Sequence, residues 1–152
     1  MEKDQVLFVC FNGACSLMAA VILHKYAGDR FQAFSAAQSI AYIDKRTIQS
    51  LRLRGLDRRD EQTEPLQWFA GPFDYVFSLD DAVKIPDWMQ DHTRRWPIPD
   101  PSEVDTLAAF EQARDCIEAV VLDWLKQFEG RVPRDHLRPP AMSPLLTRGW
   151  IR

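Results

Sequence analysis

Two rhythms of apolar and polar residues alternate along this chain. Residues 5–10 (QVLFVC) are nearly all apolar, as expected for a central parallel strand buried on both faces. Residues 17–27 (LMAAVILHKYA) read as a helix that stops before Gly28, where a C-terminal glycine belongs. Residues 31–35 (FQAFS) predict a second short strand, and Asp44 a cap for a helix over 45–54 that ends at Gly55. Residues 73–79 (FDYVFSL) predict a third strand between Gly71-Pro72 and Asp80-Asp81. Residues 94–99 (RRWPIP) predict a fourth, whose prolines favour a sheet edge. The clearest helix follows. Leu107, Phe110, Ile117, Val121, Trp124 and Phe128 recur at three- and four-residue spacing, and the helix is expected to end at Gly130.

Strands separated by helices predict an α/β fold: three layers, with a four-stranded parallel sheet and helices on both faces. In such folds the site lies at the carboxyl ends of the strands. Cys10 ends the first strand, Asp80-Asp81 follows the third and Asp100 lies just past the fourth, so all are expected at one edge of the sheet.

Composition adds limits. The chain has 152 residues, enough for one domain with a real core, and is 46% hydrophobic and 27% charged. Its charge is uneven. Between Gly130 and Arg152 five arginines face Asp135 alone, a net +4, which leaves −7 for the rest of a chain whose total is −3. The predicted organisation is a domain over 1–129 and a basic extension over 130–152 holding four of the ten prolines. The acidic total gives no nucleic-acid footprint, and no apolar run reaches the length of a membrane span. The polar Glu2–Gln5 start is unlike a signal peptide, and three cysteines do not suit a disulfide scaffold, so a cytoplasmic location is expected. His24, His92 and His136 are scattered without ligand spacing, so no metal and no cofactor are expected. Trp68, Trp88, Trp96 and Cys116 are expected to pack in the core by default.

The chemistry concentrates in the turn after the first strand. A thiol at a helix N-terminus, ringed by backbone N–H groups, has its thiolate stabilised and its pKa lowered. The same amides hold the oxygens of phosphate-like anions. Asn12-Gly13 suits a left-handed backbone, and Ser16 is placed to donate a hydroxyl to the sulfur. The alternative reading makes Cys10 a buried strand residue and Asn12-Gly13 an ordinary turn.

The chain resembles the low-molecular-weight protein tyrosine phosphatases and the arsenate reductases that share their fold. The family loop runs Cys-x-Gly-Asn-x-Cys-Arg-Ser, then x-Met-Ala-Glu; here stand Cys10, Phe11, Asn12, Gly13, Ala14, Cys15, Ser16, Leu17, Met18, Ala19 and Ala20. Further likenesses follow in order: FSAA (34–37), LRLRGLD (51–57), FDYVFSLDDA (73–82), RRWPIPDPSEV (94–104) and the helix LAAFEQARDCIEAVVLDWL (107–125). The likeness spans residues 5–128 and leaves out the extension.

The resemblance implies Cys10 as a nucleophile that forms a phosphocysteine, and Asp100 as the acid that protonates the leaving oxygen and later deprotonates water. It implies a phosphate-binding loop over Phe11, Asn12, Gly13, Ala14, Cys15 and Ser16, with Cys15 as a neighbouring thiol able to pair with the nucleophile. One departure is large. With the two cysteines in register, Ser16 stands where the family has its arginine, and residues 10–16 contain no cation. The further cysteines of a three-cysteine arsenate-reductase relay are also missing after the third strand, where Asp80, Asp81 and Ile85 stand. Three readings follow: a weakly active or rewired phosphomonoester hydrolase acting on a phosphorylated substrate, an inactive oxyanion-binding or protein-interaction module, and an arsenate-reductase-like protein without the relay. The basic extension is the expected contact for a protein partner.

Overall fold

The computed structural model describes residues 2–39, 42–57 and 62–129. The extension 130–152 lies outside the described residues. A five-stranded parallel sheet has the order β3-β2-β1-β4-β5, with helices on both faces. In chain order its strands are β1 (Asp4–Cys10), β2 (Phe31–Ala37), β3 (Thr63–Pro65), β4 (Tyr75–Ser78) and β5 (Thr93–Arg95). The helices are α1 (Ala14–Ala27), α2 (Lys45–Arg52), α3 (Pro101–Val104) and α4 (Leu107–Leu125).

β1 is the central strand, paired with β2 on one side and β4 on the other. This explains its unbroken apolar run: Val6 to Cys10 are all at or below 1% exposure, so both faces are covered. Leu7 and Val9 meet Ala36, Val76 and Met89 on one face, flanked by Phe34, Phe69 and Phe73. Phe8 stacks on Phe77, and Phe77 on Trp96 at a centroid distance of 3.8 Å.

The expected four strands become five. β3 joins the edge through pairing of Ser35 with Thr63, Ala36 with Glu64 and Ala37 with Pro65. A Thr-Glu-Pro segment carries no alternation of its own, and proline is tolerated there because an edge strand leaves donors unused. The predicted fourth strand is confirmed at the opposite edge but is shorter, Thr93–Arg95. Asp44 caps α2 as expected, its carboxylate accepting from the Arg46 amide at 2.9 Å.

The larger compact unit is Met1–Val121 and holds the whole sheet. α4 buries Phe110, Ile117 and Val121 along the predicted stripe. In the second unit, which starts at Leu122, Trp124 and Phe128 pack edge to face at 5.0 Å. α4 ends earlier than expected, at Leu125, and one 3-10 turn, Lys126–Phe128, follows it. Three of the core expectations for single residues fail. Trp68 and Trp88 are 68% and 42% exposed. Cys116, one position off the apolar stripe of α4, is exposed as well.

Candidate functional site

The turn after β1 is tighter than the sequence suggests. α1 begins at Ala14 rather than at residue 17, so Ala14, Cys15 and Ser16 form its first turn. Only Phe11, Asn12 and Gly13 separate strand from helix. Gly13 makes the reversal with φ 93°, in the left-handed region. The Asn12 side chain then accepts from the Ala14 amide at 3.0 Å, using one of the free donors at the helix start.

Cys10 lies at the focus of this turn. Its Sγ accepts from the Gly13 amide at 3.1 Å and from the Ser16 amide at 3.4 Å. The Cys10 thiol itself donates to Ser16 Oγ at 3.2 Å. Ser16 Oγ in turn donates to the Gly13 carbonyl at 3.2 Å and accepts from Ser35 Oγ at 2.8 Å. Thr63 Oγ1 lies 2.8 Å from Ser35 Oγ, so β2 and β3 extend the chain of hydroxyls. The Ser16 hydroxyl thus lies within hydrogen-bond distance of the sulfur.

The expectation of a lowered thiol pKa is reversed by burial. Burial pushes the Cys10 thiol up; contacts with Ser16 and Gly13 pull it down, and the Asp80 carboxylate pushes it up again. Cys15, also buried, is pushed up further, first by burial and then by Cys10, Asp100 and Asp80. Two amides facing the sulfur do not offset full burial in a loop without a cation.

A pH dependence follows. Thiols whose folded pKa is raised stabilise the fold fully below the ordinary thiol pKa, and that contribution is lost as pH rises toward the folded values. Stability measured by urea unfolding is expected to fall as pH rises above about 8.5. Cys15→Ala is expected to flatten the decline, and an unchanged slope would contradict the buried-thiol account. At pH 8, iodoacetamide is expected to label exposed Cys116 before either buried thiol, read by intact mass.

Two carboxylates complete the surroundings. Asp80, after β4, accepts the Phe11 amide on Oδ2 at 2.8 Å and the Ala82 and Val83 amides on Oδ1 at 3.1 and 3.0 Å. Asp100 caps α3, accepting from the Ser102 amide at 3.0 Å and from Ser102 Oγ at 2.7 Å. Asn12 Nδ2 reaches Ser102 Oγ at 3.4 Å, which ties the loop to the Asp100 turn. Asp80, Asp81, Asp100 and Glu103 line one cavity of about 440 Å³. Arg95 is paired with Asp81. Arg94 lies over the Tyr75 ring at 5.8 Å. Neither substitutes for a loop arginine. A separate cavity of about 370 Å³, lined by Phe73, Val76, Trp88, Met89 and His92 among others, includes none of the predicted site residues. Among the described residues no cluster of His, Cys, Asp and Glu is arranged to hold a metal ion, and no helix is long and apolar enough to cross a membrane.

Solved structures share this architecture. An arsenate reductase in its phosphate-binding state superposes with a TM-score of 0.72 at 22% identity, over 82% of this chain and 98% of that one. The chain has the fold of the arsenate reductases and low-molecular-weight protein tyrosine phosphatases. An arsenate reductase from Archaeoglobus fulgidus DSM 4304 gives 0.68 at 25% identity, covering 80% and 98%. A protein tyrosine phosphatase gives 0.67 at 16% identity, covering 82% and 95%. No family model and no curated protein sequence matches the chain.

Within this fold the strand ends bring together what the sequence singled out: Cys10, the turn to Ser16, Asp80 and, through Ser102, Asp100. Sequence reasoning missed Ser35, Thr63 and Ser102. Ser35 sits in FSAA, a segment of the family likeness, and Ser102 directly follows the Asp-Pro pair. Thr63 carries no signal, because it reaches the site only through β3.

Proposed function

We propose that this chain is a low-molecular-weight phosphatase-like protein with a cysteine-based oxyanion site that hydrolyses phosphomonoesters slowly. The observation that carries the reading is the convergence of the Gly13 and Ser16 amides on Cys10 Sγ. In the proposed cycle the thiol proton passes to an oxygen of the incoming phosphate dianion. The sulfur then displaces the leaving oxygen from phosphorus, while Asp100, in its protonated form, supplies the leaving group's proton. Water hydrolyses the phosphocysteine, and Asp100 takes up the water's proton. Both Ser102 contacts fall on Asp100 Oδ1, which leaves Oδ2 to carry the proton in either transfer.

The missing guanidinium sets the rate. Removing one oxyanion donor costs about 10²–10³ in kcat, and the lost donor here is charged and bidentate. A thiol that rests protonated lowers the rate further. Steady-state hydrolysis of para-nitrophenyl phosphate between pH 5 and 7 tests the reading. Activity is expected to be weak, abolished by Cys10→Ser and strongly reduced by Asp100→Asn. Activity that survives Cys10→Ser would sink it.

A second reading, an inactive oxyanion-binding or interaction module, is favoured by a different observation: the chain's own groups already fill several loop amides. Wild type no faster than Cys10→Ser would favour this module.

A further inference from the structure

The oxyanion reading assumes that the loop amides can turn to a ligand. Four of the six amides over residues 11–16 already have an acceptor within the chain. Gly13 and Ser16 face Cys10 Sγ, and Ala14 faces Asn12 Oδ1. The Phe11 amide alone among them is taken by a charged group, Oδ2 of Asp80 at 2.8 Å. The two residues are 69 positions apart, so the contact is built by the fold and not by local chain geometry.

Asp80 is held firmly in this position. Its Oδ1 accepts the Ala82 and Val83 amides, closing the turn after β4, and Ser78 Oγ donates to its backbone carbonyl at 2.9 Å. β4 lies beside β1, and the Leu79 amide donates to the Val9 carbonyl at 2.9 Å. The exit of β4 is therefore carried directly against the exit of β1.

We propose that Asp80 is a built-in occupant of the oxyanion site, a residue that sets its affinity by holding the Phe11 amide an incoming phosphate-like anion would use. The inference rests on the oxyanion reading above. An anion approaching Cys10 has to displace a carboxylate from a charge-assisted hydrogen bond, which is about twice as strong as a neutral one. Asp80 also lines a cavity with Asp81, Asp100 and Glu103, so the surface around it is acidic. With Asp80 released, the amide becomes available and one negative charge leaves the mouth. The site is thus closed from within until the Asp80–Val83 turn moves.

The test is titration of the full chain with inorganic phosphate, by calorimetry and by the amide NMR signal of Phe11, in wild type, Asp80→Asn and Asp81→Asn. Asparagine keeps an oxygen for the Ala82 and Val83 amides but offers Phe11 an N–H instead of an acceptor. A thermal melt checks that each variant folds, and Asp80→Ala serves if Asp80→Asn does not. Asp80→Asn is expected to bind phosphate about 10- to 100-fold tighter than wild type, with the Phe11 amide shifting during the titration. Asp81→Asn, which removes a carboxylate from the same cavity without touching the loop, is expected to change affinity much less. Equal binding by wild type and Asp80→Asn overturns the inference and leaves the oxyanion site standing. Equal gains in Asp80→Asn and Asp81→Asn, or tighter binding with an unmoved Phe11 amide, also overturn it, because charge alone would then explain the gain. No binding by any variant overturns the inference and the oxyanion reading together.

Discussion

Gly13→Ala is expected to lower the unfolding free energy by about 2–6 kcal/mol, the sum of two separate costs. The first is backbone strain. At φ 93° a residue with a Cβ sits where side chains are rarely tolerated, which costs about 1–3 kcal/mol. The second is steric. A Cβ at this position would lie 2.9 Å from Thr63 Cγ2, 3.1 Å from Ile43 Cδ1 and 3.4 Å from Ala37 Cβ. Relieving that contact moves β3 or the turn itself, an overpacking cost of about 1–3 kcal/mol. For a chain of this size, at about 2–4 °C per kcal/mol, the melting temperature is expected to drop by about 4–24 °C. Gly55 separates the two costs. It also has a positive φ, 70°, but a Cβ there meets nothing within 4 Å, so Gly55→Ala should show the strain alone. Equal losses at both positions would contradict the packing part of the account. Because Gly13 also aims its amide at Cys10, Gly13→Ala should weaken any chemistry at that sulfur, whereas Gly55→Ala should not.

Phe77→Ala is expected to cost about 3–5 kcal/mol, the range for removing a fully buried aromatic ring. Phe77 is 0% exposed and stacks on Trp96, at 3.8 Å and 19°, and on Phe8, at 5.7 Å and 22°. The three rings join β1 and β4 to the residue that follows β5, so the substitution leaves a cavity across three neighbouring segments. Phe77→Leu, which keeps most of the volume but no ring, should lose distinctly less. Urea denaturation decides the matter, and a loss under about 1 kcal/mol for Phe77→Ala would mean the rings had collapsed onto the gap. The consequence reaches the site as well. Asp80 lies three residues after Phe77, so loosening β4 should also loosen the Asp80 contact with Phe11.

Much of the candidate site could be read from residue order. The run Gln5–Cys10 is buried on both faces wherever it is placed in a parallel sheet, so a central β1 ending at Cys10 follows from composition alone. Asp80 and Asp100 follow apolar strand segments, and parallel strands put all such residues at one edge. β3 could not be read in this way, since three residues without alternation become a strand only when β2 presents a free edge. The sequence predicts a later start for α1 because Ala-Cys-Ser carries no apolar period. What starts the helix there is Gly13 in its left-handed conformation, together with the Asn12 cap.

By itself the sequence determined the α/β alternation, the central strand, the cysteine turn with no cation in it and the carboxylates at the strand ends. These are local properties: apolar runs, turn residues and the identity of each side chain. Only the tertiary structure decided the burial of the thiol, the hydroxyl chain from Ser16 through Ser35 to Thr63 and the capture of the Phe11 amide by Asp80. Each depends on burial, or on a partner many residues away. A pKa is set by solvent and charge in space, and nothing in the order of residues 10–16 records that a carboxylate from the end of β4 is folded against them.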